Sequence, residues 1–230
     1  PVFGPGGAVY FLSDAGESGG TQVWRMRIGG KPEVVTRFGQ DIEDFALAPD
    51  GRKLAVIVRD PQIQPGAAKP VNPPPLVTTR FQFKEDITGY LDDRRLHLHL
   101  VDVNDGSSTA LTRGPYDHYL PSFSPDSKHI AFVSKRGEDE AAALYVIPVG
   151  GGEAEKLVEL PWGVAVPAWL PDGKGIVFAT QVIPELAGSF AKTDLAAMKK
   201  EAKRRKDSKM TAYVTEYRQY RWFDKNLTDN

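Results

Sequence analysis

Residues 121–134 read PSFSPDSKHIAFVS, and the same phrase stands at 45–58 as FALAPDGRKLAVIV and at 167–180 as PAWLPDGKGIVFAT. Residues 1–13, PVFGPGGAVYFLS, are a degenerate copy one residue shorter. This recurrence constrains the fold more than any single residue, because each copy must be one unit that buries its apolar faces against the next. Every copy is an aromatic-bearing strand, a Pro-Asp-Gly-like turn and a β-rich strand. Proline presets φ in the turn, aspartate bonds the neighbouring backbone, and glycine supplies the left-handed residue that returns the chain. Ser127 stands in place of that glycine, so the turn of its copy is expected to be strained or of another type.

A second hairpin of period-2 pattern follows each copy: residues 24–28 with 33–36, 96–103 with 110–112, and 144–149 with 155–158. Two hairpins per repeat make a four-stranded antiparallel sheet, the blade of a β-propeller. The fold class expected is therefore all-β, a partial propeller of about four blades spanning about 1–40, 41–113, 114–160 and 161–230, the last incomplete. A β-sandwich also has short strands and frequent turns, but it does not require one phrase to recur.

The repeat is interrupted twice. From Phe3 to Phe45, Phe123 and Trp169, the middle interval is far longer than the others, and the excess lies between Asp60 and Arg95. Its first part is proline-rich and reads as an extended surface segment, while residues 77–84 alternate as an extra strand. The fourth blade carries a comparable insertion, with a helix near 191–206 capped by Thr193 or Asp194. Irregular insertions on a repeat scaffold are candidates for the functional surface. Arg80, Phe83, Arg221 and Trp222 are the candidate substrate-channel residues, suited to the carbonyls, carboxylates and aromatic side chains of a peptide. The alternative is that they pack the insertions onto neighbouring blades.

Other chemistry is thin. Residues 16–20, GESGG, satisfy the G-x-S-x-G pattern of serine hydrolases, but a nucleophile elbow needs a strand running into a helix. Here residues 23–28 alternate as a second strand, so Ser18 belongs to a blade connection and no catalytic residue is assigned. His97 and His99 share one face of a strand and make at most half a metal site, and Asp50, Asp126 and Asp172 fall one per turn. No metal or other cofactor is expected. The net charge is -1, so the basic helix reads as a solvated element, with neither nucleic acid nor membrane as partner. The absence of cysteine excludes disulfides and is compatible with any compartment; a periplasmic or secreted location is favoured over a cytoplasmic one.

With these residues in view, SPDSKHIAFVSKRGED and APDGRKLAVIVRDP resemble the propeller repeats of the prolyl oligopeptidase family of serine peptidases, in its acylaminoacyl-peptidase and dipeptidyl-peptidase-like branch. The repeat type is also similar to that of the TolB family. The two long insertions, in order, look like the peptidase branch. In that family a propeller caps an α/β-hydrolase domain and restricts access to its Ser-Asp-His triad. The resemblance implies a non-catalytic propeller portion that gates and shapes access of peptide substrates to a hydrolase domain outside these residues. Its partners would be that domain or the remaining blades, and a peptide substrate; open blade faces also make self-association an outcome. A TolB-like protein-interaction propeller without chemistry is the alternative.

Overall fold

The computed structural model describes residues 1–16, 20–61, 84–85, 89–90, 93–183, 186, 194–208, 221–222 and 225–226. The first sheet is a meander of β1 (Val2–Phe3), β2 (Ala8–Ser13), β3 (Gln22–Arg27) and β4 (Glu33–Val34). The second begins with β5 (Ile42–Leu47) and β6 (Lys53–Arg59). A separate hairpin of β7 (Lys84–Glu85) and β8 (Gly89–Tyr90) intervenes before β9 (Leu96–Asp102) and β10 (Ser108–Ala110) complete the sheet. The third is β11 (His118–Phe123), β12 (His129–Ser134), β13 (Ala143–Pro148) and β14 (Glu155–Val158). Then β15 (Ala165–Trp169) pairs with β16 (Ile176–Ala179), helix α1 (Leu195–Lys206) follows, and β17 (Arg221–Trp222) pairs with β18 (Lys225–Asn226). These are the blades of a β-propeller, with β11 placed between β5 and β15.

Strand β6 shows why the blades stack. All of Leu54–Val58 is buried, and the side chains divide by parity. Leu54, Val56 and Val58 pack with Ala8, Tyr10 and Val23 of the first sheet, while Ala55 and Ile57 pack with Phe123, Ile130 and Phe132 of the third. Strand β12 repeats the division: Ile130 and Phe132 face the second sheet, and Ala131 and Val133 join Val164 on the other side. A strand buried on both faces must be a near-continuous apolar run, which is what KLAVIVR and HIAFVS are. At the two ends of the stack apolar side chains remain exposed, Phe3 at 77% on the first sheet and Val177 at 57% on the fourth.

The repeated turn has one hydrogen-bond pattern. Gly51 N donates to Ala48 O at 2.8 Å, Ser127 N to Ser124 O at 2.9 Å, and Gly173 N to Leu170 O at 2.9 Å. Asp50, Asp126 and Asp172 each accept from the backbone N–H two residues on, at 2.9, 3.1 and 2.9 Å, so these carboxylates shape turns. Of the two expectations for the turn at Ser127, strain or another type, the structure shows the first. Ser127 holds φ 59°, the conformation of Gly51 and Gly173, so the turn is the same and carries the strain of a side chain in the left-handed region.

Third strands are tied to the second residue after the fourth in the same way twice. Val23 N donates to Thr36 Oγ1 and Leu98 N to Thr112 Oγ1, both at 2.9 Å, where the short fourth strands have ended. Innermost strands also share a device absent from the sequence reading, a bulge just before the buried or half-buried proline. It places Leu120 at φ 54° and Val166 at φ 48°, one residue ahead of Pro121 and Pro167.

The helix forms where expected, with Asp194 as its cap: Ala197 N donates to Asp194 Oδ1 at 2.9 Å. Of the strand expected over 77–84, Lys84 alone lies within the described residues, in β7. No helix among the described residues is long and apolar enough to cross a membrane.

Candidate functional site

Strand direction divides the propeller into two ends. Turns joining first to second strands all lie at one end. Connections from second to third strands, and crossovers from each fourth strand to the next blade, lie at the other, so both insertions emerge together. The turn end is closed by structural contacts: Gly51 lies under Pro5, and Asp50 N donates to Ser127 Oγ at 3.3 Å. The insertion end holds the cavities described below.

Where residues 61–94 leave and rejoin the second blade, Asp60 and Arg95 clamp a neck. Asp60 N donates to Arg95 O at 2.8 Å, and Arg95 N returns a bond to Asp60 Oδ2 at 3.1 Å. The neck is tied to the third blade through Asp117, which accepts from the Arg95 guanidinium at 3.2 Å and from Leu96 N at 2.8 Å. Beneath it the buried His118 donates from Nδ1 to Leu96 O at 2.9 Å. His118 Nε2 and His97 Nδ1 are buried without a hydrogen-bond partner among the described residues, and the two ring centroids stand 5.5 Å apart. Burial pushes His118 down to about 4, so it is neutral at pH 7. His97 Nε2 lies 3.5 Å from Asp60 Oδ1, whereas His99 turns its ring edge-on to Phe38. The histidine pair at this site is therefore His97 with His118, not His97 with His99. No group of three metal-ligating side chains forms among the described residues.

Among the described residues, cavities open at this end between a crossover and a second-to-third-strand connection, and a smaller and a larger one are formed this way. The smaller, about 440 Å³, lies beside the neck and is lined by Asp41, Glu43, Arg59, Pro61 and Arg94 among others, with Arg59 and Glu43 paired at 3.3 Å. The larger, about 720 Å³, lies between α1 and the third blade. Its blade side is braced by Asp139, whose carboxylate is buried and accepts from Arg136 N at 2.8 Å, Tyr145 Oη at 2.6 Å and Lys156 Nζ at 2.8 Å. Burial alone would raise the Asp139 carboxyl, but the bonds from Lys156 and Tyr145 outweigh it and hold the group below its usual value. Burial and that same bond push the Tyr145 phenol up to about 12. Lys156 continues to Glu159 at 2.9 Å, and Glu159 accepts from Glu140 N at 2.7 Å.

Arg80, Phe83 and Ser18 lie outside the described residues. Arg221 and Trp222 form β17, and their side chains lie outside what is described. The sequence reading passed over Arg95, Asp117, His118 and Asp139. Asp117 and His118 stand just ahead of the repeated phrase at 121–134, separated from it by Tyr119 and Leu120, where the blade pattern brings the chain in from the crossover at the insertion end, and this register was the available signal.

No protein-family model matches the sequence, and comparison with curated proteins gives no match. Solved structures do match in fold. TolB from Acinetobacter baumannii superposes with a TM-score of 0.52 at 15% identity over 77% of this chain and 36% of that one. An oligogalacturonate lyase in complex with manganese gives 0.54 at 18% identity, covering 76% of this chain and 44% of the lyase. The acylaminoacyl peptidase of Pyrococcus horikoshii gives 0.51 at 14% identity, covering 76% of this chain and 27% of the peptidase. The chain thus spans from about a quarter to under half of these proteins. At such identities the likeness establishes the fold, a β-propeller shared by proteins of unlike activity.

Proposed function

We propose that this chain is the non-catalytic propeller portion of a prolyl-oligopeptidase-like serine peptidase, which gates and shapes the path of peptide substrates to a hydrolase domain. The observation that carries the reading is that the strands from which both long insertions depart end on the same side of the propeller, the first insertion held at its root by the Asp60–Arg95 clamp. A rigid neck under a long connection suits a part that narrows a channel. Arg80, Phe83, Arg221 and Trp222 are proposed to line that channel, in a periplasmic or secreted protein.

The second reading is a TolB-like interaction propeller without chemistry, for which the fold likeness to TolB and the exposed apolar side chains of the end blades speak. Treating the native protein with a serine-reactive fluorophosphonate and weighing the denatured chain separates them. An adduct on a chain much heavier than 25.3 kDa supports the peptidase reading. No adduct on a chain of 25.3 kDa supports the interaction propeller, and an adduct at that mass mapping to Ser18 overturns both.

A further inference from the structure

The cavity between α1 and the third blade has oppositely charged walls that do not touch. On the helix, Lys199, Lys203 and Lys206 follow one another at i, i+4 and i+7 and share a face; all are exposed, and none is ion-paired among the described residues. Arg205 also lines the cavity but is engaged by Glu201 at 3.1 Å, and Asp207, just past the end of the helix, adds one exposed carboxylate to this otherwise basic wall. On the blade, Glu138 and Glu140 are exposed and unpaired among the described residues, while Glu159 is engaged by Lys156. Leu160, Pro161 and the half-buried Trp162 supply apolar surface between the walls. No ion pair crosses the cavity among the described residues.

The carboxylate wall is held in place. Glu138 and Glu140 flank Asp139, whose side chain is fixed by three hydrogen bonds, and the Glu140 backbone is fastened to Glu159. Such bracing lowers the ordering cost of binding. A volume of about 720 Å³ falls in the range of small-molecule sites. A purely anionic ligand would meet Glu138 and Glu140 as well as the lysines, and a purely cationic one would meet the reverse. An amphoteric ligand satisfies both walls.

We infer that this cavity binds a short peptide with free termini, its ammonium group on Glu138 and Glu140, its carboxylate on Lys199 and Lys203, and an apolar side chain against Trp162. The inference rests on the proposal that the protein handles peptides. It adds a site on the third blade and α1, built from residues other than the proposed channel residues.

The test is calorimetry on the full-length protein with the tripeptide Ala-Phe-Ala, its N-acetyl form, its C-terminal amide and the doubly blocked form, with inorganic phosphate as an anion-only probe. The free tripeptide is expected to bind, and each block to weaken binding about tenfold, as expected for losing one charge-assisted contact. In Lys199→Ala/Lys203→Ala, amidation should no longer matter while N-acetylation still does; in Glu138→Gln/Glu140→Gln the pattern should reverse. Equal binding of the free and doubly blocked peptides, phosphate binding as tight as the tripeptide's, or no binding by any peptide at millimolar concentration overturns the inference. Fluorophosphonate labelling on a heavier chain with no tripeptide binding would sink this site and leave the peptidase reading standing. Tripeptide binding without labelling would do the opposite.

Discussion

Gly51 and Pro5 are packed so closely that a Cβ on Gly51 would lie 2.8 Å from both Cδ and Cγ of the proline ring. The repeated turn of one blade thus docks on the degenerate turn of the blade before it. Gly51 is also at φ 71°, so two demands meet at one residue.

Gly51→Ala is therefore expected to destabilise the protein by about 2 kcal/mol or more, combining left-handed strain of about 1 kcal/mol with displacement of Pro5. Gly173→Ala is the control. It has φ 69° but its Cβ would meet nothing nearer than Pro125 Cδ at 3.9 Å, so it should lose about 1 kcal/mol from strain alone. Urea unfolding of both variants measures the difference, and equal losses would show that the Pro5 contact contributes nothing.

Ser127 occupies the same left-handed position with a side chain, so Ser127→Gly should raise stability by about 0.5 kcal/mol, relief of strain exceeding loss of the exposed bond from Asp50 N. Ser127→Ala keeps the strain and removes the bond, and should be slightly destabilising. Thermal unfolding of the pair distinguishes a strained turn from one that serine has accommodated.

Acid should loosen the junction between second and third blades before it reaches the carboxylates. His118 stays neutral in the fold down to about 4, whereas the unfolded chain protonates it near 6.5. Between those values the unfolded state binds more protons, so stability falls as pH falls from 6.5 to 4, by about 3 kcal/mol in total. Asp139, lowered from 3.8, contributes in a separate window: its stabilisation is present above 3.8 and is lost as pH falls below it. Urea unfolding across pH should show the first slope in the parent protein and its marked reduction in His118→Gln, whatever that variant's stability at pH 7, with a remainder from His99, which burial also lowers.

Asp139→Asn should cost about 1–3 kcal/mol, because it removes the charge from a buried acceptor of three hydrogen bonds, while the partly exposed Lys156 keeps Glu159. The phenol of Tyr145, held at about 12 by burial first and by Asp139 second, should then titrate lower but still above its ordinary value. Ultraviolet titration of tyrosinate follows that shift directly, and an unmoved transition would show that Asp139 does not help to hold the phenol up.

Much of the architecture was legible in particular residues. KLAVIVR and HIAFVS are apolar at every interior position because their strands are covered on both faces, and a Pro-Asp-Gly-like triplet marks each turn because only a few residues suit its dihedral angles. The helix at Leu195–Lys206 and its Asp194 cap were likewise legible, since capping is a local hydrogen bond. Of the candidate site, the insertions and His97 could be named, but the residues that close the neck could not. Arg95 meets Asp117 across 22 residues and His118 meets His97 from a different blade, and neither pairing leaves a periodic trace.

The sequence by itself determined the blade, because period-2 burial and turn chemistry act within a few residues of one another. Only the tertiary structure decided which side chains meet between blades, that Ser127, Leu120 and Val166 carry left-handed strain, and that a lysine-bearing helix faces the glutamates beside Asp139. Those outcomes depend on how neighbouring sheets dock. Docking is set by the summed packing of many side chains distant in sequence, a quantity that no local pattern records.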